Sequence, residues 1–233
     1  LGQGRHKEAL EEFKGARIIL EAQGPLESAS AVRLLVNQGV ARAELGDLDG
    51  SQNDLEDARG ILLGQDLLGT KSGAEILLKL ADLRLEQGAP EAALEELEIA
   101  RQILDEEGLM DRADGAELLL KVGVALTQQG DQEGALEEYE AARLIFEEED
   151  LLESVAGAAV MANIGVAHAA LGSTTEALAG FEVARDILEG EGALASEEGV
   201  RVLRNLGVAH AELGNEAEAH ASYQAAREIS EGL

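Results

Sequence analysis

Residues 203–229 read LRNLGVAHAELGNEAEAHASYQAAREI, which is two amphipathic helical patterns joined by a Gly-Asn turn. Leu203, Leu206 and His210 fall on one face of the first pattern, at the roughly 3.6-residue period of an α-helix. Gly214 is expected to end this helix, and Asn215 is expected to cap the next one. The stretch therefore predicts two helices that pack against each other.

The same pattern recurs along the whole chain with a fixed period. Six punctuating glycines are spaced 42 residues apart without an insertion: Gly4, Gly46, Gly88, Gly130, Gly172 and Gly214. A constant period of this length is the sequence signature of a helical repeat array. We therefore expect one helix pair per repeat, with neighbouring repeats covering each other's apolar faces.

The recurring pattern consists of L-x-N-L-G/A and a later L/Q-G in the first helix, followed in the second helix by Ala, then an aromatic residue or Leu, then Ala. This pattern resembles the tetratricopeptide repeat (TPR). The long period is similar to that of the kinesin-light-chain-like group of peptide-binding TPR proteins. The resemblance covers the whole chain. It implies an all-α fold, a right-handed superhelical α-solenoid of antiparallel helix pairs. It also implies a non-enzymatic scaffold or adaptor that binds a peptide or protein segment in a concave groove.

The period also predicts the organisation of the chain as a single array over residues 1–233. Residues 1–21 match the second helix of a repeat that has no first helix before it. Complete helix pairs are predicted at 27–64, 69–107, 111–148, 153–190 and 195–231.

The composition limits the classes of partner. The chain has 47 acidic and 18 basic residues, a net charge of −29 at pH 7. This charge opposes binding to DNA, RNA or an anionic membrane, so we expect no nucleic-acid partner and no membrane insertion. It favours a basic protein partner or simply keeps the protein soluble, and solubility is the preferred interpretation. No cysteine is present, which is consistent with a cytoplasmic or other intracellular compartment.

One uncharged segment, Ser154–Thr175, invites a membrane interpretation. It is rich in Ala and Gly, which do not supply the strongly apolar surface that a spanning helix needs. Its apolar positions also match those of the other first helices, so we interpret it as part of the repeat.

Catalytic motifs are missing from the sequence, which has no phosphate-binding glycine loop and no H-E-x-x-H. His168 and His210 share one repeat position, but a metal site would need further ligands. We expect neither enzymatic activity, nor a metal, nor a cofactor.

Local signals predict how the repeats are joined and packed. Four residues that follow the glycines are expected to cap the second helices, with Pro90 starting the remaining one: Asp47, Asp131, Ser173 and Asn215. One apolar residue in each linker is expected to anchor it: Leu26, Leu68, Met110, Leu152 and Leu194. Large residues of the second helices are expected to insert against small ones of the first: Leu55, Leu97, Tyr139, Phe181 and Tyr223 against Gly39, Ala81, Gly123, Gly165 and Gly207.

An arginine also recurs once per repeat: Arg17, Arg59, Arg101, Arg143, Arg185 and Arg227. A ladder of cations for an acidic ligand is one interpretation. The preferred one is structural, with each head group paired to a carboxylate on the same helix, because Glu56, Glu98, Glu140 and Glu182 lie three residues before their arginines.

A peptide-binding surface is expected on the first helices. One repeat position holds Asn37, Lys79, Lys121, Asn163 and Asn205. In the group that the chain resembles, an asparagine at this place binds the backbone of an extended peptide. Arg201 and Arg204 flank the last two asparagines, which are expected to form the best part of the site. The alternative is that the apolar residues around this position only pack neighbouring first helices together.

The two ends of the chain differ. Leu10, Phe13, Ile19 and Leu20 are expected to form an apolar N-terminal interface, because no first helix precedes them in the sequence. At the C-terminal end His220 and Ser230 replace apolar residues. The alternative function is therefore a structural subunit of a larger assembly, docking through its ends and convex face or associating end to end with another copy.

Overall fold

The computed structural model describes residues 2–24 and 28–233. These residues form eleven α-helices and no strand, which confirms the predicted all-α repeat fold. In chain order the helices are α1 (Gly2–Gln23), α2 (Ala29–Ala43), α3 (Leu48–Gly64), α4 (Lys71–Glu86), α5 (Pro90–Glu106), α6 (Ala113–Gln129), α7 (Gln132–Glu148), α8 (Val155–Ala170), α9 (Thr174–Gly190), α10 (Glu197–Glu212) and α11 (Glu216–Gly232).

After α1 the helices alternate between two types. We call α2, α4, α6, α8 and α10 the first helices, and α3, α5, α7, α9 and α11 the second helices; each first helix packs on the second helix that follows it. The described helices fall into two compact units, Leu1–Met110 (unit 1) and Asp111–Leu233 (unit 2). The single continuous array over the whole chain stays a prediction. No described helix is long and apolar enough to cross a membrane.

The turns inside the pairs follow the predicted chemistry only in part. The glycines that end first helices have left-handed backbone, for example Gly130 with φ of 87°. The carboxylates of Asp47 and Asp131 accept hydrogen bonds from the amides of Gly50 and Gly134, both at 3.0 Å, which confirms these two caps.

The prediction of side-chain caps at Ser173 and Asn215 is wrong, because neither side chain makes a capping hydrogen bond. The backbone ψ of Ser173 is 65°, whereas Ser154, which does cap its helix, has ψ of 165°. The short serine hydroxyl thus needs the extended backbone conformation to reach the amides. Asn215 turns instead towards His210, with 3.5 Å between its amide nitrogen and the ring nitrogen Nδ1.

The linkers press their backbone against the start of the following first helix. A Cβ atom placed on Gly157 would overlap the carbonyl oxygen of Leu152, and the same holds for Gly73 with Leu68 and Gly199 with Leu194. The side chains of these three leucines are half-buried, which supports the predicted anchoring. Leu26 lies outside the described residues.

The interior of the helix pairs follows the predicted pairing of small and large residues. Leu55, Leu97, Tyr139 and Phe181 are at most 2% exposed. Tyr223 covers Gly207 in the same way, although 42% of its surface remains exposed. The hydroxyl groups of Tyr139 and Thr127 lie 3.0 Å apart and share a hydrogen bond. These close approaches explain why glycine or alanine occupies the facing position in every repeat.

Candidate functional site

Two small clefts occupy equivalent places on the first-helix surfaces of the two units. The Asn205 cleft in unit 2 has a volume of about 120 Å³ and lies between α8, α9 and α10; its lining residues are Val166, Ala169, Thr174, Phe181, Asn205, Val208, Ala209 and Glu212. The Lys79 cleft in unit 1 has a volume of about 160 Å³ and lies between α2, α3 and α4; its lining residues are Val40, Ala43, Glu44, Ser51, Leu55, Lys79, Asp82, Leu83 and Glu86.

The two clefts are the same site three repeats apart. Shifting the chain by three 42-residue periods brings Val40 onto Val166, Lys79 onto Asn205 and Glu86 onto Glu212. The repeat therefore builds this cleft from fixed positions, and the side chains at those positions decide its chemistry.

A wider cleft of about 690 Å³ lies in unit 1, between α2, the end of α3 and the start of α4. Its apolar walls include Val32, Val36 and Ile76, and its polar lining includes Arg33 and Asn37. We call it the Asn37 cleft. Its volume falls within the range of about 300–1,000 Å³ that is typical of ligand sites.

The five positions predicted to bind a peptide backbone separate into two groups. Asn37, Lys79 and Asn205 line the three clefts. Lys121 and Asn163 line none of them and are held by neighbouring side chains. The Lys121 ammonium lies 3.3 Å from a Glu117 carboxylate oxygen.

Asn163 is tied to the neighbouring first helix. Its side-chain oxygen accepts a hydrogen bond of 3.3 Å from the Arg201 guanidinium, which also binds the Glu198 carboxylate. Arg201 therefore links α8 to α10, a contact that repeat spacing alone does not reveal. Arg204, on the same helix, is exposed.

The Lys79 cleft is charged. The Lys79 ammonium lies 3.9 Å from the Asp82 carboxylate. Burial raises the pKa of Glu86, and the nearby Asp82 and Glu44 carboxylates raise it further. The Asn205 cleft has Val208 in place of Asp82, and its Glu212 carboxylate accepts a hydrogen bond of 3.0 Å from the Thr174 hydroxyl. Equivalent geometry thus holds a glutamate in both clefts, and the Lys79 cleft adds the charged side chains of Lys79, Asp82 and Glu44.

The net charge is segregated by helix type. The five first helices together contain eight basic and eight acidic residues, so they are neutral as a set. The five second helices contain five basic and 24 acidic residues. The acidic character predicted to favour a basic partner therefore belongs to the second helices and the linkers.

The recurring arginines make structural ion pairs. Arg59 binds Glu56 on its own helix at 2.7 Å and Glu96 of the next repeat at 3.2 Å, and Arg143 binds Glu140 at 2.7 Å. Burial raises the pKa of Glu96 while the charge of Arg59 opposes this effect. These contacts support the structural interpretation over a cation ladder.

The predicted pairing of Arg185 with Glu182 is wrong, because the guanidinium of Arg185 binds Asp186 at 2.6 Å instead. The cross-repeat partner of Arg59 lies 37 residues later in the sequence, where Arg185 has Ser222. Arg185 is also followed directly by a carboxylate, Asp186, where Arg143 is followed by Leu144, and its head group binds this adjacent residue.

Apolar residues of α1 form a partly exposed surface. Leu10, Phe13 and Leu20 are half-buried, and Ile19 is 60% exposed. Ile18, which the sequence prediction missed, is 67% exposed. In the described ranges no group of three or more histidine, aspartate or glutamate side chains is arranged to hold a metal ion.

Comparison with known proteins matches part of the chain to a repeat family. Residues 78–147 match the family model of the tetratricopeptide repeat. The sequence has no significant match among the curated proteins.

Three solved structures show the same fold over most of the chain. BtubC (BKLC) from P. vanneervenii is 22% identical, with a TM-score of 0.73 over 99% of this chain and 90% of that chain. A putative kinesin light chain from P. anserina with nearly identical TPR-like repeats is 18% identical, with a TM-score of 0.68 over 86% of this chain and 95% of that one. A Rap protein complexed with Competence and Sporulation Factor is 16% identical, with a TM-score of 0.73 over 95% of this chain and 64% of that one.

At these identities the structural likeness concerns the fold alone, and the family match rests on the central repeats. Residues 78–147 are therefore similar to the tetratricopeptide repeat, and the chain is similar in fold to the solved kinesin-light-chain-like repeat proteins.

Proposed function

We propose that this protein is a non-enzymatic interaction scaffold that binds an extended polypeptide segment on its first-helix surfaces. The TPR-like fold generally mediates protein–protein interactions. The observation that carries the proposal is that Asn37, Lys79 and Asn205, three of the positions predicted to bind a peptide backbone, line clefts between neighbouring first helices.

The chemistry of these positions suits a polypeptide. A side-chain amide offers both a donor and an acceptor, so Asn37 and Asn205 can each pair with a backbone carbonyl and amide of a bound chain. The apolar walls beside them, such as Val36 and Val208, can receive side chains of the same segment. One structural neighbour, the Rap protein, forms a complex with Competence and Sporulation Factor, which gives a precedent for ligand binding on this fold.

The charge distribution narrows the class of ligand. Because the first helices are neutral as a set, the groove ligand needs no net positive charge. A basic partner would instead be attracted to the second helices, where the acidic residues are concentrated.

A second candidate function is that of a structural subunit in a larger assembly. The observation that favours it is the apolar surface of α1, on which Ile18 and Ile19 are exposed. Exposed contiguous apolar surface of this kind marks interaction sites. In this role the chain would dock through α1, with another protein or a second copy covering that surface.

Replacing Asn37 and Asn205 with Ala is expected to weaken ligand binding by roughly thirtyfold, because each substitution removes a hydrogen bond that contributes roughly 1 kcal/mol. The probe is a peptide selected on the wild-type chain from a random phage-displayed library, and binding is measured by fluorescence anisotropy. Asn53→Ala removes an exposed amide from the second helix α3 and is the matched control. Unchanged affinity in the double variant, from a protein with wild-type helical content, would contradict binding at the first helices.

A further inference from the structure

We infer that the Asn205 cleft holds one aliphatic side chain of the bound segment, whereas the equivalent Lys79 cleft does not. This inference rests on the proposed function, because it names the chemistry that one part of the peptide surface selects.

The size of the Asn205 cleft points to a side chain. Its volume of about 120 Å³ is well below the range of about 300–1,000 Å³ that free small molecules occupy. A site this small is filled by a single group that is tethered to something larger. A polypeptide that lies along the first helices supplies such a group.

The lining of the cleft selects an apolar group. Val166, Ala169 and Val208 form its walls together with the Phe181 ring. Val208 is 46% exposed, so part of an apolar wall now faces solvent and would be covered by the ligand. The helix α8, which forms one side, contains no charged residue.

Asn205 places the ligand backbone beside this cleft. No side-chain hydrogen bond to a described residue engages Asn205, whereas the side-chain oxygen of Asn163 accepts one from Arg201. An amide at the rim of an apolar cleft can bind the backbone of the same residue whose side chain enters the cleft. Asn205 and Val208 thus act together as an anchor for one aliphatic residue.

The Lys79 cleft shows what the same geometry does with other side chains. It has Lys79 for Asn205 and Asp82 for Val208, and the Glu44 carboxylate adds a further charge. A glutamate is common to both clefts, Glu86 here and Glu212 in the Asn205 cleft, where the Thr174 hydroxyl binds it. An aliphatic group placed there would take these charged groups out of water, and it could not itself form a hydrogen bond or an ion pair with them. The two clefts are therefore matched sites that differ in selectivity.

A double-mutant cycle tests the inference. The probe is the library-selected peptide described above, and its aliphatic residues are replaced one at a time by Ala. We expect one of these replacements to weaken binding to the wild-type chain at least tenfold, and Val208→Asp to weaken it by a similar factor. Combining the two changes is expected to lower the affinity little more than either change alone, because both remove the same contact.

Two further variants serve as controls. Val208→Thr keeps the shape of the side chain and is expected to lower affinity less than Val208→Asp. Val183→Asp introduces the same charge on the exposed surface of the second helix α9 and is expected to leave affinity within twofold. Helical content by circular dichroism verifies that each variant is folded.

The outcomes separate the inference from the proposed function. If the fold-losses in affinity from Val208→Asp and from every peptide replacement simply multiply when the two are combined, the inference is overturned. The proposed function still stands in that case if the Asn37→Ala, Asn205→Ala double variant loses binding. If the selected peptides are basic and bind equally well to all first-helix variants, both are overturned.

Discussion

Replacement of Gly165 by Leu is expected to lower the free energy of unfolding of unit 2 by about 3 kcal/mol, at the upper end of overpacking effects. Gly165 lies on α8 where the Phe181 ring of α9 approaches most closely. A Cβ atom at Gly165 would stand 2.6 Å from Cε1 of the ring and 3.0 Å from the Ala177 carbonyl oxygen. Since Phe181 is only 2% exposed and packs in the core of unit 2, a leucine at position 165 would displace the ring or push the two helices apart.

The second repeat provides the control for this variant. There Ala81 and Leu97 stand at the positions equivalent to Gly165 and Phe181, and both residues are fully buried. The double variant Gly165→Ala with Phe181→Leu copies that pair and is expected to retain more stability than Gly165→Leu. Urea unfolding followed by circular dichroism measures the difference. An unchanged unfolding midpoint for Gly165→Leu would contradict the close packing of α8 on α9.

Replacement of Gly157 by Ala is expected to lower the free energy of unfolding by about 2 kcal/mol, although Ala favours a helix more than Gly does by roughly 1 kcal/mol. The added methyl group would overlap the backbone carbonyl of Leu152, so the linker backbone would have to move away from α8. The backbone of the linker cannot move aside as easily as the end of a flexible side chain. The expected loss of stability is therefore large for a single methyl group.

Gly190→Ala is the matched control for the linker variant. Gly190 ends α9 and has no heavy atom within 4 Å of the place where a Cβ would lie. We expect this change to leave the unfolding midpoint in urea unchanged or slightly higher. If both variants behaved alike, the linker would not be anchored at Gly157.

Repeat spacing predicted most of the fold because each turn signal acts locally. The glycines that were predicted to end first helices have positive φ there, from Gly46 to Gly214. Every helix pair begins two residues later than predicted and ends within one residue of the prediction. The caps were harder to predict, since they depend on backbone conformation as well as on residue type. Ser173 and Ser154 are both cap residues by sequence, but only the extended backbone of Ser154 brings its hydroxyl to an amide.

The candidate site was predicted less completely, because a repeat position defines a place but not the partners around it. Asn163 and Asn205 are identical in the sequence pattern, yet Arg201 occupies the first amide. The equivalence of the Lys79 and Asn205 clefts was present in the spacing, but their difference in charge depends on the individual side chains, with Lys79 and Asp82 in one and Asn205 and Val208 in the other. The charge segregation between helix types could have been counted from the predicted helices.

The central claim, that a polypeptide binds along the first helices, is tested most directly by methyl nuclear magnetic resonance of the intact chain titrated with the library-selected peptide. We expect chemical-shift changes at the first-helix residues Val166 and Val208. The exposed second-helix residues Val183 and Leu144 serve as internal references and are expected not to shift. Shifts at Val183 and Leu144 with none at Val166 and Val208 would contradict the claim and place the ligand on the second helices.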